Sequence, residues 1–212
     1  MKILYPPRPK GRITPNQLGV YEDSGKWVVQ RKFNGTRILV HILGNEVYIL
    51  NRHGEAPKQF TLTANLKKEF LSLDLDKNLE YWLDGELLDA KTRNVCYKGK
   101  IVLFDVLQTG KYLFSGPTLL ARQKILEKIC RSPEKLEPNA GLALQVTENI
   151  WMAQTFLDNF KLRFEEFLSH DEIEGLVLKK IDSKIDNFGH KQYEVGWQIR
   201  CRKPHAGGLY TF

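Results

Sequence analysis

The residues best suited to chemistry lie in one short segment, Lys32-Phe33-Asn34-Gly35-Thr36-Arg37. Apolar, largely β-branched residues flank it on both sides, and Asn-Gly is a strong hairpin signal, so the pattern predicts a strand, a tight turn and a second strand. A lysine at such a turn, with cations and open turn N–H groups nearby, is suited to attack a nucleotide phosphate. An ordinary surface hairpin with two solvated charges explains the same segment, and taken alone that interpretation is the simpler one.

Further charged residues occur on predicted strands near their ends. Glu86 and Glu174 each adjoin a glycine, and the strand that follows Glu174 carries Lys179. Arg200 and Arg202 lie two residues apart on the last predicted strand and therefore share a face. Each residue alone is explained by a solvated strand end or an exposed strand face. Together they describe one lysine nucleophile, two carboxylates able to hold a hard divalent ion, and several cations facing phosphates.

Composition sets the class of protein. The chain has 212 residues, 42% of them hydrophobic and 27% charged, which is typical of a soluble globular domain. No apolar run approaches the ~20 residues of a membrane span, and no signal-peptide pattern begins the chain, so we expect no membrane partner. Three cysteines without metal-type spacing favour a reducing, cytoplasmic location. The net charge of +7 would make any binding to nucleic acid salt-dependent.

The elements that must position these residues follow from apolar periodicity. It predicts one compact α+β domain, with residues 1–18 forming a basic arm held against it and residues 19–26 ending in a turn. Strands are predicted over 27–33, 37–43, 46–50, 79–88, 100–107, 142–147, 175–181 and 192–202, and helices over 61–70, 119–129 and 150–168. The phenylalanines of the last helix, spaced three or four residues apart, are expected to face the core.

The order of the motifs resembles that of the covalent nucleotidyltransferases, most closely the adenylation domain of ATP-dependent DNA ligases. The first motif of that family, Lys-x-Asp-Gly-x-Arg, fits residues 32–37 at all but one position. Six motifs in order over residues 28–203 are a specific signal, although each alone is weak. The later matches are Asn51-Arg52-His53-Gly54, Leu83-Asp84-Gly85-Glu86-Leu87, Val102-Leu103-Phe104-Asp105-Val106-Leu107, Glu174-Gly175-Leu176-Val177-Leu178-Lys179, and Trp197 with Arg200-Cys201-Arg202. The stretch from Gly110 to Leu126 is also similar to ligases.

The resemblance implies a nucleotidyltransferase (ATP-grasp-like) fold, an α+β domain of twisted, mainly antiparallel sheets flanked by helices. It implies that Lys32 attacks the α-phosphorus of ATP and holds AMP, which passes to a nucleic-acid 5′-phosphate before a 3′-hydroxyl seals the strand. ATP and Mg²⁺ are the implied cofactors. The implied contacts are Gln30 and Phe104 on adenine, Arg37 and Arg52 on the ribose or phosphates, Glu86 and Glu174 on the ribose or Mg²⁺, and Lys179, Arg200 and Arg202 on the α-phosphate and pyrophosphate.

The chain departs from the family pattern at several positions. Asn34 replaces the usual aspartate and removes a negative charge beside the lysine. Arginines replace two lysines of the last motif, which keeps the charge but changes a point donor into a planar fork. Lys203 offers an alternative second cation there. Gln30 takes a position where many ligases have a glutamate.

Only nine residues follow Lys203, so residues 1–212 are expected to form one adenylation domain without an oligonucleotide-binding (OB) fold. A bare adenylation domain, a partner protein that supplies the clamp, or a fragment of a longer protein each explains this. We favour a naturally minimal ligase of viral or phage origin, monomeric and cytoplasmic (in the host cytoplasm if viral), that seals nicked duplex DNA. In this hypothesis Arg8, Lys10 and Arg12 of the arm bind the nucleic acid.

Other classes remain open. An RNA ligase, acting on a nick that contains RNA, shares the motifs, and the Lys-x-Asn-Gly form also occurs among RNA-joining relatives. A capping guanylyltransferase fits less well, because the stretch from Gly110 to Leu126 is ligase-like. The alternative that is not an enzyme is a nucleic-acid-binding remnant, which Asn34 and the missing barrel would favour.

Overall fold

Two β-sheets and four α-helices form the framework of the part of the chain that the structure describes. The computed structural model describes residues 3–58, 60–89, 94–112, 116–131, 138–139, 141–185 and 193–204. The strands are β1 (Arg8–Ile13), β2 (Trp27–Phe33), β3 (Thr36–Leu43), β4 (Glu46–Asn51), β5 (Glu80–Leu87), β6 (Ile101–Thr109), β7 (Lys111–Tyr112), β8 (Pro138–Asn139), β9 (Ala143–Gln145), β10 (Ile150–Met152), β11 (Thr155–Phe156), β12 (Ile173–Lys180) and β13 (Glu194–Arg202). The helices are α1 (Leu18–Asp23), α2 (Ala64–Leu71), α3 (Leu119–Ile129) and α4 (Phe160–Glu165), with a 3₁₀ turn over Pro15–Gln17.

The first sheet has five strands in the order β1-β13-β12-β2-β11. β12 pairs antiparallel with both β13 and β2, whereas β1 pairs parallel with β13. Strand β1 takes up part of the predicted basic arm, so residues 8–13 are built into the sheet. The register places Arg12 beside Arg200.

The second sheet has the order β4-β3-β5-β6-β10-β9-β8, with β7 paired to β6. Its pairs are antiparallel except for β10 with β6. The sheets are therefore mainly antiparallel and flanked by helices, which confirms the predicted α+β fold class. None of the helices in the described ranges is long and apolar enough to cross a bilayer.

The predicted hairpin at Asn34–Gly35 is wrong. β2 and β3 do not pair with each other, because the chain passes at this turn from the first sheet into the second. A Cβ on Gly35 would lie 2.2 Å from the main-chain oxygen of Leu87, so only glycine allows the turn to pass this close to the end of β5. The turn joins the two halves of the molecule.

Among the described residues, apolar side chains form four buried clusters around this framework. Ile38, Val40, Phe70 and Leu126 belong to the core between the second sheet and α2 and α3. A second core packs α1 and α4 on the first sheet, and a third contains residues of both sheets. Because the helices cover one face of each sheet, the opposite faces remain for the polar groups of the molecule and for the fourth cluster, which includes Leu39 and Trp82 of the second sheet.

The predicted helix over residues 150–168 is wrong in its first half. Ile150–Met152 and Thr155–Phe156 are short strands, and α4 covers only Phe160–Glu165. A short, fully buried apolar run has no periodicity that separates a strand from a helix. Asn159, which caps α4, has φ +56° and a left-handed conformation, which prevents a continuous helix through this point.

Most other elements follow their prediction closely. α3 spans the predicted residues 119–129, and the hydroxyl of Thr118 caps it by accepting from the N–H of Ala121 at 3.4 Å. α2 is shorter than predicted and is capped by Thr63. Helix α1 was not predicted, because residues 19–26 were expected to end in a turn.

Candidate active site

A cavity of about 560 Å³ lies between the two sheets. Strands β2, β12 and β13 of the first sheet and β3, β5 and β6 of the second contribute its walls. The structure brings together there all ten residues proposed from sequence for the lysine and nucleotide sites: Gln30, Lys32, Arg37, Arg52, Glu86, Phe104, Glu174, Lys179, Arg200 and Arg202. A volume of this size accommodates a nucleotide.

Lys32 and Glu174 form the closest charged pair on the cavity wall. Nζ of Lys32 donates to Oε2 of Glu174 at 2.5 Å, and both side chains are about four-fifths buried. Arg202 also approaches Glu174, at 3.5 Å. The lysine is held on β2, which is hydrogen-bonded on both sides, so its backbone position is fixed by the sheet.

The main-chain N–H groups of Asn34 and Gly35, in the turn after Lys32, are both hydrogen-bonded. The N–H of Asn34 donates to the carbonyl of Glu172 at 2.8 Å, and its side-chain amide donates to the carbonyl of Asp171 at 3.1 Å. An aspartate could not make the second bond, because a carboxylate has no N–H. The N–H of Gly35 donates to Oε1 of Glu86 at 3.1 Å. The sequence prediction of open turn N–H groups is therefore wrong for these two residues.

Glu86 faces Lys32 from the second sheet. Burial raises the pKa of Glu86 to about 7, although the nearby charges of Lys32 and Arg37 oppose this shift. The carboxyl group can therefore change its charge near neutral pH, depending on what occupies the cavity. Such a perturbed carboxyl in a cleft is typical of a functional site.

Arg37 is clamped by the buried carboxylate of Asp84. Nε donates to Oδ1 at 3.0 Å and Nη2 to Oδ2 at 2.5 Å, a bidentate arrangement that fixes the plane of the guanidinium group. The guanidinium carbon lies 5.6 Å from the centre of the Phe104 ring. Arg37 thus presents a fixed positive charge to the cavity.

Lys179 is buried on β12, and its Nζ lies 5.1 Å from the centre of the Phe104 ring. Burial lowers the pKa of Lys179 to about 8, although Asp105 and Asp84 favour the charged form. Asp105 itself is held ionised: burial opposes this, but the charges of Arg122 and Lys179 keep its pKa below the usual value. Lys179 is therefore a cation whose charge is sensitive to pH just above neutrality.

Arg122 was noted in sequence only as part of a ligase-like stretch, and the structure gives it a role. Its side chain is fully buried, and Nε and Nη2 donate to the two oxygens of Asp105 at 2.9 and 3.1 Å. Nη1 donates to the carbonyls of Pro117 and Ser183. This ion pair joins α3 to β6 directly behind the cavity.

Gln123 and Thr155 were missed by sequence reasoning. Together with Gln30 they form a group of polar side chains, and Gln123 also donates to the main-chain carbonyl of Phe104 at 2.9 Å. Gln123 follows an arginine on an amphipathic helix, and Thr155 follows a glutamine in a region predicted as helix. Neither position carries a motif, so no signal in the sequence could have found them.

The arginines of β13 extend the positive wall of the cavity toward the sheet edge. Arg200 lies beside Arg12, and burial together with the charges of Arg12 and Arg202 lowers its pKa. Arg8 lines the cavity and pairs with Glu194 at 3.2 Å. Lys10 and Arg12 are exposed and do not line the cavity. Of the three predicted nucleic-acid contacts, only Arg8 thus reaches the cavity.

Arg52 lies at the cavity rim in the turn that follows β4. The side-chain oxygen of Asn51 accepts from the N–H groups of His53 and Glu55, at 2.7 and 3.1 Å, and so holds the turn. Nε of Arg52 donates to Nε2 of His53 at 3.1 Å, and its side chain is exposed.

The donor set limits what metal the cavity could hold. Within the described ranges no group of three or more histidine, cysteine, aspartate or glutamate side chains is placed to bind an ion. Glu86 and Glu174 are two carboxylates on one cavity among cations that attract phosphates. Mg²⁺ usually binds through one or two carboxylates plus waters and substrate phosphates, so these residues fit Mg²⁺ in the presence of a nucleotide.

Comparison with known families decides the identity of the fold. The family model of RNA ligases matches residues 25–193, which include Lys32, both glutamates and Lys179. The chain belongs to the RNA ligase family. A search of curated proteins finds no match.

Solved structures of ligases share the fold of this RNA ligase family member. A mycobacterial DNA ligase D complexed with ATP superposes with a TM-score of 0.64 at 17% identity, covering 94% of this chain and 60% of that one. The ATP-dependent DNA ligase of bacteriophage T7, complexed with ATP, gives 0.57 at 13% identity, covering 95% and 69%. A Lig E DNA ligase gives 0.55 at 13% identity, covering 93% and 69%. The chain spans about three fifths of the length of the DNA ligase D structure.

Proposed function

We propose that this RNA ligase family member is an ATP-dependent polynucleotide ligase and that residues 1–212 act as its adenylation domain. The observation that supports this most directly is the position of Lys32. It lies on the wall of a nucleotide-sized cavity, between the carboxylates of Glu174 and Glu86 and within a ring of cations. A lysine nucleophile needs a partner for its proton and charges that hold the phosphate, and both are present.

In the first step the neutral amine of Lys32 attacks the α-phosphorus of ATP. The Nζ–P bond forms, the bond from the α-phosphorus to the bridging oxygen breaks, and pyrophosphate leaves. Glu174, 2.5 Å from Nζ, is placed to take the proton that the amine must lose. Lys179, Arg200 and Arg202 neutralise the charge on the phosphates, and most of the rate comes from positioning and charge.

We place the nucleoside part of ATP on the wall of the cavity that carries Phe104. Phe104 provides an aromatic face for adenine, a contact of about 1 kcal/mol beyond burial. Gln30 lies beside it, and Arg37 and Arg52 contact the ribose or phosphates. Glu86 and Glu174 would hold Mg²⁺, which supplies charge neutralisation at the phosphates when bound.

In the next two steps the enzyme joins nucleic acid. An oxygen of a 5′-phosphate attacks the phosphorus of lysyl-AMP, so that AMP moves to the nucleic acid and Lys32 regains its amine. A 3′-hydroxyl then attacks the activated 5′-phosphate, which forms the phosphodiester and releases AMP. Arg8, Lys10 and Arg12 are proposed to contact the nucleic-acid backbone next to the cavity.

Two kinds of nick are candidate substrates. Nicked duplex DNA is the substrate that the motif resemblance implies, and the solved structures with this fold include DNA ligases. A nick that contains RNA is the second candidate, and the match of residues 25–193 to the RNA ligase model favours it. The proposal also includes a monomer in the cytoplasm, with any clamp for the duplex supplied by a partner protein.

The decisive experiment is mass spectrometry of the protein after incubation with ATP and Mg²⁺. We expect an AMP adduct on Lys32, absent in Lys32→Ala and retained in Lys161→Ala, which removes an exposed lysine of α4. No adduct on the wild-type protein would reject the enzyme in favour of a binding remnant. An adduct formed from GTP but not ATP would indicate a capping enzyme.

Substrate choice is tested with four versions of one nicked duplex, which have the same sequence and differ in whether each strand at the nick is DNA or RNA. The labelled 5′-phosphate strand and the 3′-hydroxyl strand are each made as DNA or RNA on a common template, and sealing is followed on a denaturing gel. Preferential sealing of the all-DNA nick supports a DNA ligase. Preferential sealing of a nick with an RNA 3′-hydroxyl strand supports an RNA ligase.

A further inference from the structure

Three polar side chains form a relay next to the proposed adenine platform. Nε2 of Gln30 donates to Oε1 of Gln123 at 3.0 Å and to Oγ1 of Thr155 at 2.9 Å. Oγ1 of Thr155 donates to Oε1 of Gln123 at 3.1 Å. Nε2 of Gln123 donates to the main-chain carbonyl of Phe104 at 2.9 Å. Gln30 and Gln123 are both buried, so these bonds are shielded from water.

The direction of this relay is set by its one fixed member, the carbonyl of Phe104. A main-chain carbonyl can only accept, so the group of Gln123 that faces it must be the NH₂ group. Oε1 of Gln123 then faces Gln30 and requires a donor there. Turning the amide of Gln30 over would bring its oxygen against Oε1 of Gln123 and against the Phe104 carbonyl, 3.5 Å from the present Nε2. The relay therefore has one stable direction.

The consequence is that the oxygen of Gln30 is the atom available to a ligand. Gln30 lines the cavity, its NH₂ group is directed at the relay, and no described residue donates to its Oε1. An amide oxygen accepts a hydrogen bond from a 6-amino purine such as adenine. A 6-oxo purine presents an oxygen at the same place, which would leave two acceptors facing each other.

We infer that Gln123 and Thr155 are positioning residues that hold the Gln30 amide with its oxygen toward the base and so select 6-amino over 6-oxo purine nucleotides. The inference rests on the proposed function in one respect, that the cavity binds a purine nucleotide with its base on the Phe104 side. Neither residue touches the nucleotide in this arrangement. Their effect is on the identity of the base that is accepted.

Binding of AMP and IMP tests this without any chemistry. The two nucleotides differ at C6, which carries an amino group in AMP and an oxo group in IMP, and at the adjacent N1, which is protonated only in IMP. Neither can form the lysyl adduct, because neither carries a pyrophosphate leaving group. Dissociation constants are measured by calorimetry on the full chain. We expect the wild-type protein to bind IMP about tenfold or more weakly than AMP, since one buried hydrogen bond is lost and an acceptor is left unpaired.

The variants separate positioning from general damage. Gln123→Leu and Thr155→Val should reduce the preference for AMP to about threefold or less, because the Gln30 amide can then present either group. Thr155→Ser keeps the hydroxyl group and should retain the wild-type ratio. Lys124→Leu changes the exposed neighbour of Gln123 on α3 and is the matched control.

A merely structural role would weaken AMP and IMP binding together and leave their ratio unchanged, and that result would overturn the inference. Equal binding of AMP and IMP by the wild-type protein would overturn it as well. The ratio is independent of adduct formation. A protein that prefers AMP but forms no lysyl adduct with ATP would therefore support the relay while rejecting the proposed ligase activity.

Discussion

Lys32 and Glu174 lie on adjacent antiparallel strands, and the ammonium group of the lysine donates directly to the carboxylate at 2.5 Å. The aspartate that follows the lysine in related first motifs is here Asn34, whose amide is bound to the carbonyl of Asp171. The negative charge nearest to the amine therefore comes from β12, on the opposite side of the turn. This relationship links the nucleophile to a residue 142 positions away in the chain.

Glu174→Gln removes the charge beside Lys32 and keeps the shape of the side chain. We expect the rate of lysyl-AMP formation to fall by about 10²-fold, the typical contribution of a positioned acid or base. The rate is measured by rapid quenching and gel detection of labelled protein. Glu165→Gln, an exposed change on α4, should leave the rate unaltered. A wild-type rate for Glu174→Gln would contradict this role.

Affinity for AMP should fall as pH rises through about 8. Lys179, whose pKa burial lowers to about 8, is positively charged below that pH and attracts the phosphate, and it becomes neutral above it. Calorimetric titrations between pH 7 and about 9.5 would show the loss. Lys179→Arg should hold its affinity across this range, because a guanidinium stays protonated. An identical pH dependence in the two proteins would show that another group is responsible.

Gly35→Ala should disrupt the turn between the sheets. The added Cβ would lie 2.2 Å from the Leu87 carbonyl, so the turn or the end of β5 must shift, at a cost of roughly 1–3 kcal/mol. Denaturant unfolding measures this loss, and adduct formation should fall with it because Lys32 is three residues away. Gly196→Ala, where a Cβ meets nothing within 4 Å, is the matched control. Equal stability of the two variants would count against the close approach.

Arg122→Met leaves the carboxylate of Asp105 buried without its bidentate partner. Removing one member of a buried ion pair destabilises a protein by about 3–5 kcal/mol. Chemical denaturation should show this loss, and Asp105→Asn combined with Arg122→Met should recover part of it. Lys124→Met, an exposed change on the same helix, should cost little. No recovery in the double variant would mean that Arg122 acts mainly through the carbonyls of Pro117 and Ser183.

Neutralising Arg8, Lys10 and Arg12 together should weaken binding to nicked duplexes and flatten its dependence on salt. Each phosphate contact that is lost reduces the slope of log K against log salt by about 0.9. The measurement is a fluorescence anisotropy titration at several salt concentrations. Neutralising Lys67 and Lys68 of α2 provides a control of similar charge on another surface. An unchanged slope would show that the nucleic acid binds elsewhere.

Local patterns of apolar residues in the sequence were sufficient to predict many of the helices and strands. Residues 27–33 and 119–129 have the bounds predicted from apolar spacing, because each shows one periodicity and has clear ends. The strands around residues 150–156 could not be separated from the helix that follows, since Ile150–Met152 is a fully buried apolar run without a distinguishing period. The Asn-Gly turn was read as a hairpin because local sequence does not state which sheet the next strand joins.

Only those residues of the candidate site that belong to motifs could be predicted from the sequence. Lys32, Glu86 and Glu174 were found by type and order, and they do line one cavity. Gln123 and Thr155 come from elements 32 residues apart and meet only after folding. The pairing of Arg12 with Arg200 depends on a parallel register between the two ends of the described chain, which no local pattern encodes.

The connection at Asn34–Gly35 has a mechanical consequence. One wall of the cleft carries the nucleophile and the other carries the aromatic ring, and this short link begins two residues after Lys32. A small rotation of one wall about the link would widen or narrow the outer opening of the cleft while displacing the amine very little.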